Sequence, residues 1–259
     1  MKKPTQTRYF QSYTDDFIES KNQAFQLPND YVWINSSWWH RAASRLLYLP
    51  AFVFSYCCCR FYLHPEIKNH SVLKALKSTG YFLYGNHTQP LGDAVIPIRL
   101  AAAKRCYILV DPANMGIPVL GRLLPLLGAL PVPDSLAGLR NLQNAIGQRA
   151  MNGNCIAIYP EAHVWPWYTG IRPYSAVSFS YPVKYNLPSF CMTITYQQRK
   201  HRRKPKMTIY LDGPFYPDSL LSVKKQKEQL HREIYRCMNH RSKNSNFDYV
   251  QYKKGGCTT

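Results

Sequence analysis

The chain has 259 residues, 46% of them hydrophobic, with 33 Lys and Arg against 14 Asp and Glu for a formal charge of +19. That length and apolar content suit one domain with an appendage rather than two full domains, and the charge points to an anionic partner: a phospholipid surface, a phosphorylated substrate or nucleic acid. The eight cysteines include the triplet Cys57-Cys58-Cys59 and no Cys-x-x-Cys zinc spacing, so they read as reduced thiols in a reducing compartment.

Residues 1–35 mix charge, Gln, Asn and aromatics, with a short helix expected over 14–22. No run in the first forty residues is apolar enough for a signal peptide, which predicts a cytosolic start. From Trp38-Trp39-His40-Arg41 the character shifts: residues 46–59 carry no charge and are bracketed by Arg45 and Arg60. A bilayer span takes about 20 apolar residues. This shorter stretch, with Pro50 inside it, predicts a helix lying at a membrane interface, Trp at the headgroups and Arg reaching phosphates; a buried core helix is the alternative. The cysteine triplet reads as small packing residues in that helix, with lipidation the alternative.

A short helix over 70–77 leads into the strand Gly80-Tyr81-Phe82-Leu83-Tyr84, which ends at Gly85. The polar loop Asn86-His87-Thr88-Gln89-Pro90-Leu91-Gly92-Asp93 follows, and then a helix over 94–103 with Asp93 at its N-cap or in its first turn. Open α/β sheets keep their ligands at such carboxyl ends of strands. An imidazole with a carboxylate six residues on can form a base and its orienter; a loop His beside a helix-capping Asp is the plain alternative. The next strand spans 105–110. Gly116 and Gly121 have the spacing of a phosphate-binding loop, but Pro118 removes an amide and Arg122-Leu123 stand where Lys and Ser or Thr belong, so that reading is rejected.

The apolar run 120–130 predicts a helix turning into a strand at 128–132, and Ser135 can cap a helix over 135–151. A strand over 155–159 then delivers Pro160-Glu161-Ala162-His163. Trp165-Pro166-Trp167-Tyr168 predicts an apolar rim facing lipid, or else packing against the N-terminal helix. A helix over 174–185, a strand over 189–195 and a returning strand over 207–211 enclose the cluster Arg199-Lys200-His201-Arg202-Arg203-Lys204. That cluster reads as a basic hairpin tip, each charge contributing about 1 kcal/mol near an anionic surface. A polar amphipathic helix over 219–236 and a loose tail complete the chain. The alternation of strands and helices predicts an α/β sheet core covered by helices, preceded by an apolar helical anchor. The division expected is 1–66 for the polar segment and membrane-associating helix, 67–240 for the main domain and 241–259 for the tail.

Two of these blocks, Asn86-His87 with Asp93 and Pro160-Glu161 after a strand, together resemble the glycerolipid acyltransferase family, whose best-known members are the 1-acylglycerol-3-phosphate acyltransferases. The resemblance runs from about residue 81 to 214. The family has four residues between its His and Asp where this chain has five, and Pro-Glu-Gly where this chain has Pro160-Glu161-Ala162. Pro90 and Gly92 are expected to absorb the additional residue. The family's second block ends in an Arg that binds the acceptor's phosphate; Pro133 or Asp134 stands there, and Arg122, Arg140 and Arg172 are the candidates to replace it. Pro188 before a strand is similar to the fourth block.

The resemblance implies a mixed sheet covered by helices and an acyltransferase domain at 67–240. The activity implied is transfer of a fatty acyl group from acyl-CoA or acyl-ACP to a lysophospholipid or related lipid hydroxyl, with no metal or prosthetic group. His87 would take the acceptor's proton and Asp93 would hold the imidazole. Asn86, Glu161, Arg122 and Arg172 would bind substrate, with bracing of the loop as the other role for Asn86 and Glu161. The implied partners are an anionic phospholipid surface and the thioester donor, at the cytoplasmic face of a membrane, monotopic or peripheral. Two other classes stay open: a metal-dependent hydrolase built on His87, Asp93, Glu161 and His163, and a non-catalytic basic membrane-binding protein. Nucleic acid is disfavoured because the basic residues are not set among stacking aromatics in a recognised module. A serine hydrolase is disfavoured by the lack of a Gly-x-Ser-x-Gly elbow.

Overall fold

The computed structural model describes residues 3–18, 25–74, 76, 78–101 and 104–255. Its centre is strand β3 (Tyr81–Gly85), buried along its whole length. Successive side chains of a strand point to opposite faces, so Tyr81 and Leu83 enter one apolar core and Phe82 and Tyr84 the other. Burial on both sides is why this stretch reads as a continuous apolar run rather than an alternating one.

The seven-stranded sheet has the order β2 (Glu66–Lys68), β8 (Lys206–Phe215), β7 (Ser189–Gln197), β3, β6 (Cys155–Ile158), β4 (Cys106–Val110), β5 (Ala129–Pro131). Strands β7, β3, β6, β4 and β5 are parallel, β8 runs antiparallel to β7, and β2 is parallel to β8. This is the expected mixed sheet, and it sends the segments after β3, β4, β5, β6 and β7 out from a single edge. One face is covered by α1 (Trp38–Cys57), α2 (Ser71–Lys74) and α3 (Gly92–Ala101). The other carries α5 (Leu136–Met151), α6 (Ser180–Tyr185) and α7 (Val223–Ser242), with Leu142, Ile146, Leu230, Ile234 and Met238 fully buried. Helix α4 (Leu120–Leu127) makes the crossover from β4 to β5. Ser135 caps α5 as its sequence predicts, its hydroxyl accepting from Gly138 N at 3.1 Å.

Helix α1 continues through a π-helical turn, Cys58–Leu63, to make 26 residues, the one helix among the described residues long and apolar enough to cross a bilayer. It is longer than the uncharged stretch suggests because Trp38 to Arg45 join it and Pro50 is accommodated on an exposed face. It is not a core helix: only 17% of its most apolar stretch is buried, and Trp39, Leu46, Val53, Phe54 and Phe61 stand exposed. Its inner face is bonded to the core along its length. Ser44 Oγ donates to Leu126 O at 2.7 Å, Tyr48 Oη accepts from Cys106 N at 2.8 Å, and Ser55 Oγ donates to Val95 O at 2.6 Å. Cys59 is buried against this core, the packing role expected of the triplet.

Three other expectations change. Of the helix expected over 14–22, residues 14–18 form turns and bends and the rest lie outside the described residues. Helix over 174–185 begins later, with a 3-10 turn at Val177–Phe179 before α6. Over its described residues, 242–255, the tail is not loose: β9 (Val250–Lys254) pairs in parallel with β1 (Gln6–Phe10), from Gln6 beside Val250 to Phe10 beside Lys254. Apolar cover fixes that pair, because the Tyr252 and Phe10 rings lie 4.9 and 4.8 Å from the Trp165 ring.

Candidate active site

The loop leaving β3 is held rigid before any side chain of it can act. Asn86, 1% exposed, donates through Nδ2 to Ile194 O at 3.0 Å and accepts at Oδ1 from Ile194 N at 2.8 Å, so its amide is spent on tying the loop to β7. Trp165 N donates to His87 O and Trp167 N to Thr88 O, each at 2.9 Å. Gln89 Nε2 donates to Tyr196 Oη at 2.8 Å, and Tyr196 Oη lies 2.8 Å from Thr88 Oγ1. Hydrogen bonds from β7 and from the loop after β6 thus converge on four residues.

On this platform His87 Nδ1 meets Asp93 Oδ2 at 2.7 Å. The five-residue spacer is absorbed by a turn at Pro90-Leu91, after which α3 starts at Gly92. Gly92 contributes room rather than a left-handed backbone: a Cβ there would stand 2.6 Å from Gln89 Cβ. Asp93 Oδ2 also accepts from Gln89 N at 2.9 Å. With Nδ1 committed to the carboxylate, Nε2 is the basic nitrogen, on a side chain 18% exposed. Burial raises the Asp93 carboxyl above its ordinary range, and the hydrogen bond and charge of His87 draw it back.

Tyr159, which the sequence does not single out, completes this pair. Its ring stacks on the imidazole at 4.5 Å between centroids and 18° between planes, and its hydroxyl donates to Asp93 O at 2.7 Å. Burial pushes its phenol well above the ordinary value, so it stays a neutral donor.

Glu161 and Arg172 are together, but as a buried brace and not as a surface open to substrate. Glu161 accepts from His87 N at 3.2 Å, Arg172 N at 3.0 Å, Arg172 Nε at 3.3 Å and an Arg172 terminal nitrogen at 3.0 Å. Burial raises the carboxyl, and the guanidinium opposes that rise; four N–H donors keep the pair ionic. Arg172 is fully buried, donates to Tyr13 O and His163 O, and lies 4.9 Å from the Trp165 ring. Arg122 is exposed near the start of α4 and Arg140 on α5, and Pro133-Asp134 follow β5 without an Arg.

The four groups considered for a metal do not gather. Glu161 is saturated by Arg172, and His163 Nδ1 turns to Asp16 Oδ2 at 3.6 Å. Among the described residues the donors that do cluster are Cys191, Asp212 and Cys237, and Asp212 is already paired with Arg241. The expected lipid-facing rim at Trp165 is also revised. That ring is fully buried and its Nε1 donates to Asp15 O at 2.8 Å, since segments from both chain ends close over it.

The architecture is similar to that of a 1-acyl-sn-glycerophosphate (LPA) acyltransferase, PlsC, from Thermotoga maritima, with a TM-score of 0.58 over 80% of this chain and 83% of that one, at 13% identity. At that identity the likeness establishes the fold. No family model matches the sequence, and no curated protein matches it.

Proposed function

We propose that the protein is an acyltransferase that moves a fatty acyl group from a thioester, acyl-CoA or acyl-ACP, to the hydroxyl of a lysophospholipid or related lipid. The observation that carries this reading is the His87 and Asp93 pair on a braced loop at the carboxyl edge of the sheet. His87 Nε2 takes the acceptor's hydroxyl proton as the oxygen attacks the thioester carbonyl. The carbon–sulfur bond then breaks, and the imidazolium returns the proton to the departing sulfur, which leaves as the free thiol. Asp93 fixes the tautomer and stabilises the transient cation. A thioester is already activated, so the scheme requires no metal. The fold it shares with the Thermotoga acyltransferase supports the assignment.

Membrane association fits helix α1. A helix bonded to its own domain at Ser44, Tyr48 and Ser55 is disposed to lie along a bilayer with its outer apolar face in the headgroup and acyl boundary, Trp38 and Trp39 at one end. The seven described cysteines are all free thiols, although Cys106 Sγ lies 3.8 Å from Cys155 Sγ, which fits the reducing cytoplasmic side. Phosphate recognition on substrate falls to the hairpin tip between β7 and β8, which leaves the same sheet edge. Its Lys204 lies 4.5 Å from the Tyr62 ring and 5.6 Å from that of Trp167, the residue bonded to Thr88 O.

The test is transfer of labelled acyl groups from acyl-CoA to a panel of lysophospholipids. The unaltered chain should be active on at least one acceptor and His87→Ala inactive on it. Retained turnover in that variant removes the mechanism.

A further inference from the structure

A groove of about 800 Å³ opens between α1 and the amino-terminal edge of the sheet. It lies across the sheet from His87: Arg105 precedes β4 and Asn154 precedes β6, whereas His87 follows β3, so about five residues at about 3.3 Å each separate the two ends. Five cations line it, Arg41, Arg45, Lys104, Arg105 and Arg149, and no carboxylate does.

The two inner arginines are held in place by neutral partners only. Arg105 donates to Ser44 Oγ at 2.7 Å and to the Leu126 carbonyl; Arg149 donates to Ala145 O and, at 2.6 Å, to Trp33 O. Both guanidinium groups lie over the Tyr107 ring, at 5.2 and 4.8 Å, and each keeps a buried Nε with no hydrogen-bond partner. Burial holds Arg149 below its ordinary value, and the like charge of Arg105 adds to the lowering. Arg41 and Arg45, one turn apart on α1, are exposed at the mouth. Further along the same wall the lining turns apolar, with Tyr48, Leu49 and Phe52. Exposed arginines at the start of α1 and aliphatic and aromatic side chains one to two turns further on, with Arg105 4.5 Å over the Tyr48 ring between them, match a phosphate carried on an acyl chain, and the outer face of the helix forming that wall is exposed and apolar.

We infer that this groove binds one anionic phospholipid of the bilayer, its phosphate on Arg41, Arg45 and Arg105 and an acyl chain along Leu49 and Phe52. The site is separate from the reaction centre. The bound lipid adds to the direct bonds that hold α1 on the core, since an anion there relieves the mutual repulsion of the arginines and makes charge-assisted hydrogen bonds to them.

The experiment is titration calorimetry of the full chain with short-chain dihexanoyl phosphatidylglycerol, dihexanoyl phosphatidylcholine and inorganic phosphate. Phosphatidylglycerol should bind saturably and more tightly than the other two. The pair Arg41→Gln with Arg45→Gln should weaken it by at least about tenfold, whereas the equally neutralising pair Lys224→Gln with Lys225→Gln, at exposed positions of α7, should not. His87→Ala should bind as the unaltered chain does, so this result is read independently of transfer activity. Undiminished binding in the groove pair, or equal loss in the α7 pair, overturns the site. Equal affinity for inorganic phosphate or for phosphatidylcholine overturns the lipid assignment.

Discussion

At Asp93 burial and function pull against each other. The carboxyl is 3% exposed and its Oδ1 has no hydrogen-bond partner, and burial raises it above its ordinary 3.8. A carboxyl raised by folding lends stability that is full below the unfolded value and is lost as pH rises through the folded one, so the ionised form costs stability at neutral pH. Asparagine in its place keeps one acceptor toward His87 Nδ1 and Gln89 N and puts its amide where Oδ1 was. Asp93→Asn should therefore lower turnover by about 10²–10⁴ while shifting unfolding free energy at about pH 7 by no more than about 1 kcal/mol. The unaltered chain should gain on the variant as pH falls toward about 4; denaturant curves at both pH values, with turnover, check it. Burial raises the Glu161 carboxyl as well, but the cost of replacing it differs. Glu161→Gln strands the Arg172 charge in a fully buried position and should cost about 3–5 kcal/mol in denaturant unfolding, with Arg172→Met added to it restoring part of that. A substrate-binding role would instead raise KM at unchanged stability. His87 and Glu161 are legible in the sequence because each lies in a polar stretch just after an apolar run, and Asp93 because it stands just before one. Tyr159 and Tyr196 are not, since an aromatic at a strand end reads as core, and their contacts with His87, Asp93, Thr88 and Gln89 depend on how strands far apart in sequence are neighboured.

Among the elements, strands β3 and β6 are foreseeable within a residue or two because burial on both faces leaves an unbroken apolar run; β4 is read from its short apolar run although it is half-buried, and β7 from a run rich in β-branched and aromatic residues whose apolar character Thr193 and Thr195 interrupt. The β1 and β9 pair was hidden. Its strands are five residues each, half polar, and their partners lie at opposite ends of the chain, so no local period marks them. The Trp165 cluster fails from sequence for the same reason: whether that ring faces lipid or core depends on Phe10, Tyr13, Phe17 and Tyr252 arriving from elsewhere. Helix α1 was legible in character but not in extent. Its outer face makes a separable prediction, because Leu46 and Val53 are 75% and 52% exposed and touch neither the His87 loop nor the basic groove. Burying each in lipid contributes about 1.5–3 kcal/mol. Leu46→Glu with Val53→Glu should thus move the protein from vesicle-bound to free by at least about tenfold in a flotation assay, with thermal unfolding in solution little changed. A helix whose exposed residues did not meet lipid would show no such shift.

On the scale of the whole molecule, the +19 charge is not spread evenly in function. One basic cluster, the β7–β8 hairpin tip, lies at the carboxyl edge of the sheet with the reaction loop, and the other, the Arg41 to Arg149 groove, lies at the opposite edge. Helix α1 connects them, its start at the groove through Arg41 and Ser44 and its end at the hairpin through Tyr62. A bilayer that receives the outer face of α1 therefore meets cations at both ends of that helix. Each cation near an anionic surface is worth about 1 kcal/mol, so roughly ten such side chains outweigh the apolar contacts at low salt and are screened once the Debye length falls from about 10 Å at 0.1 M to about 3 Å at 1 M. Binding to vesicles rich in phosphatidylglycerol should accordingly fall by several orders of magnitude over that salt range, while binding to phosphatidylcholine vesicles, which measures α1 alone, should hold steady or strengthen. If the two curves instead keep a constant ratio, the cations do not face the membrane, and α1 must be oriented with its charged flanks turned away from it.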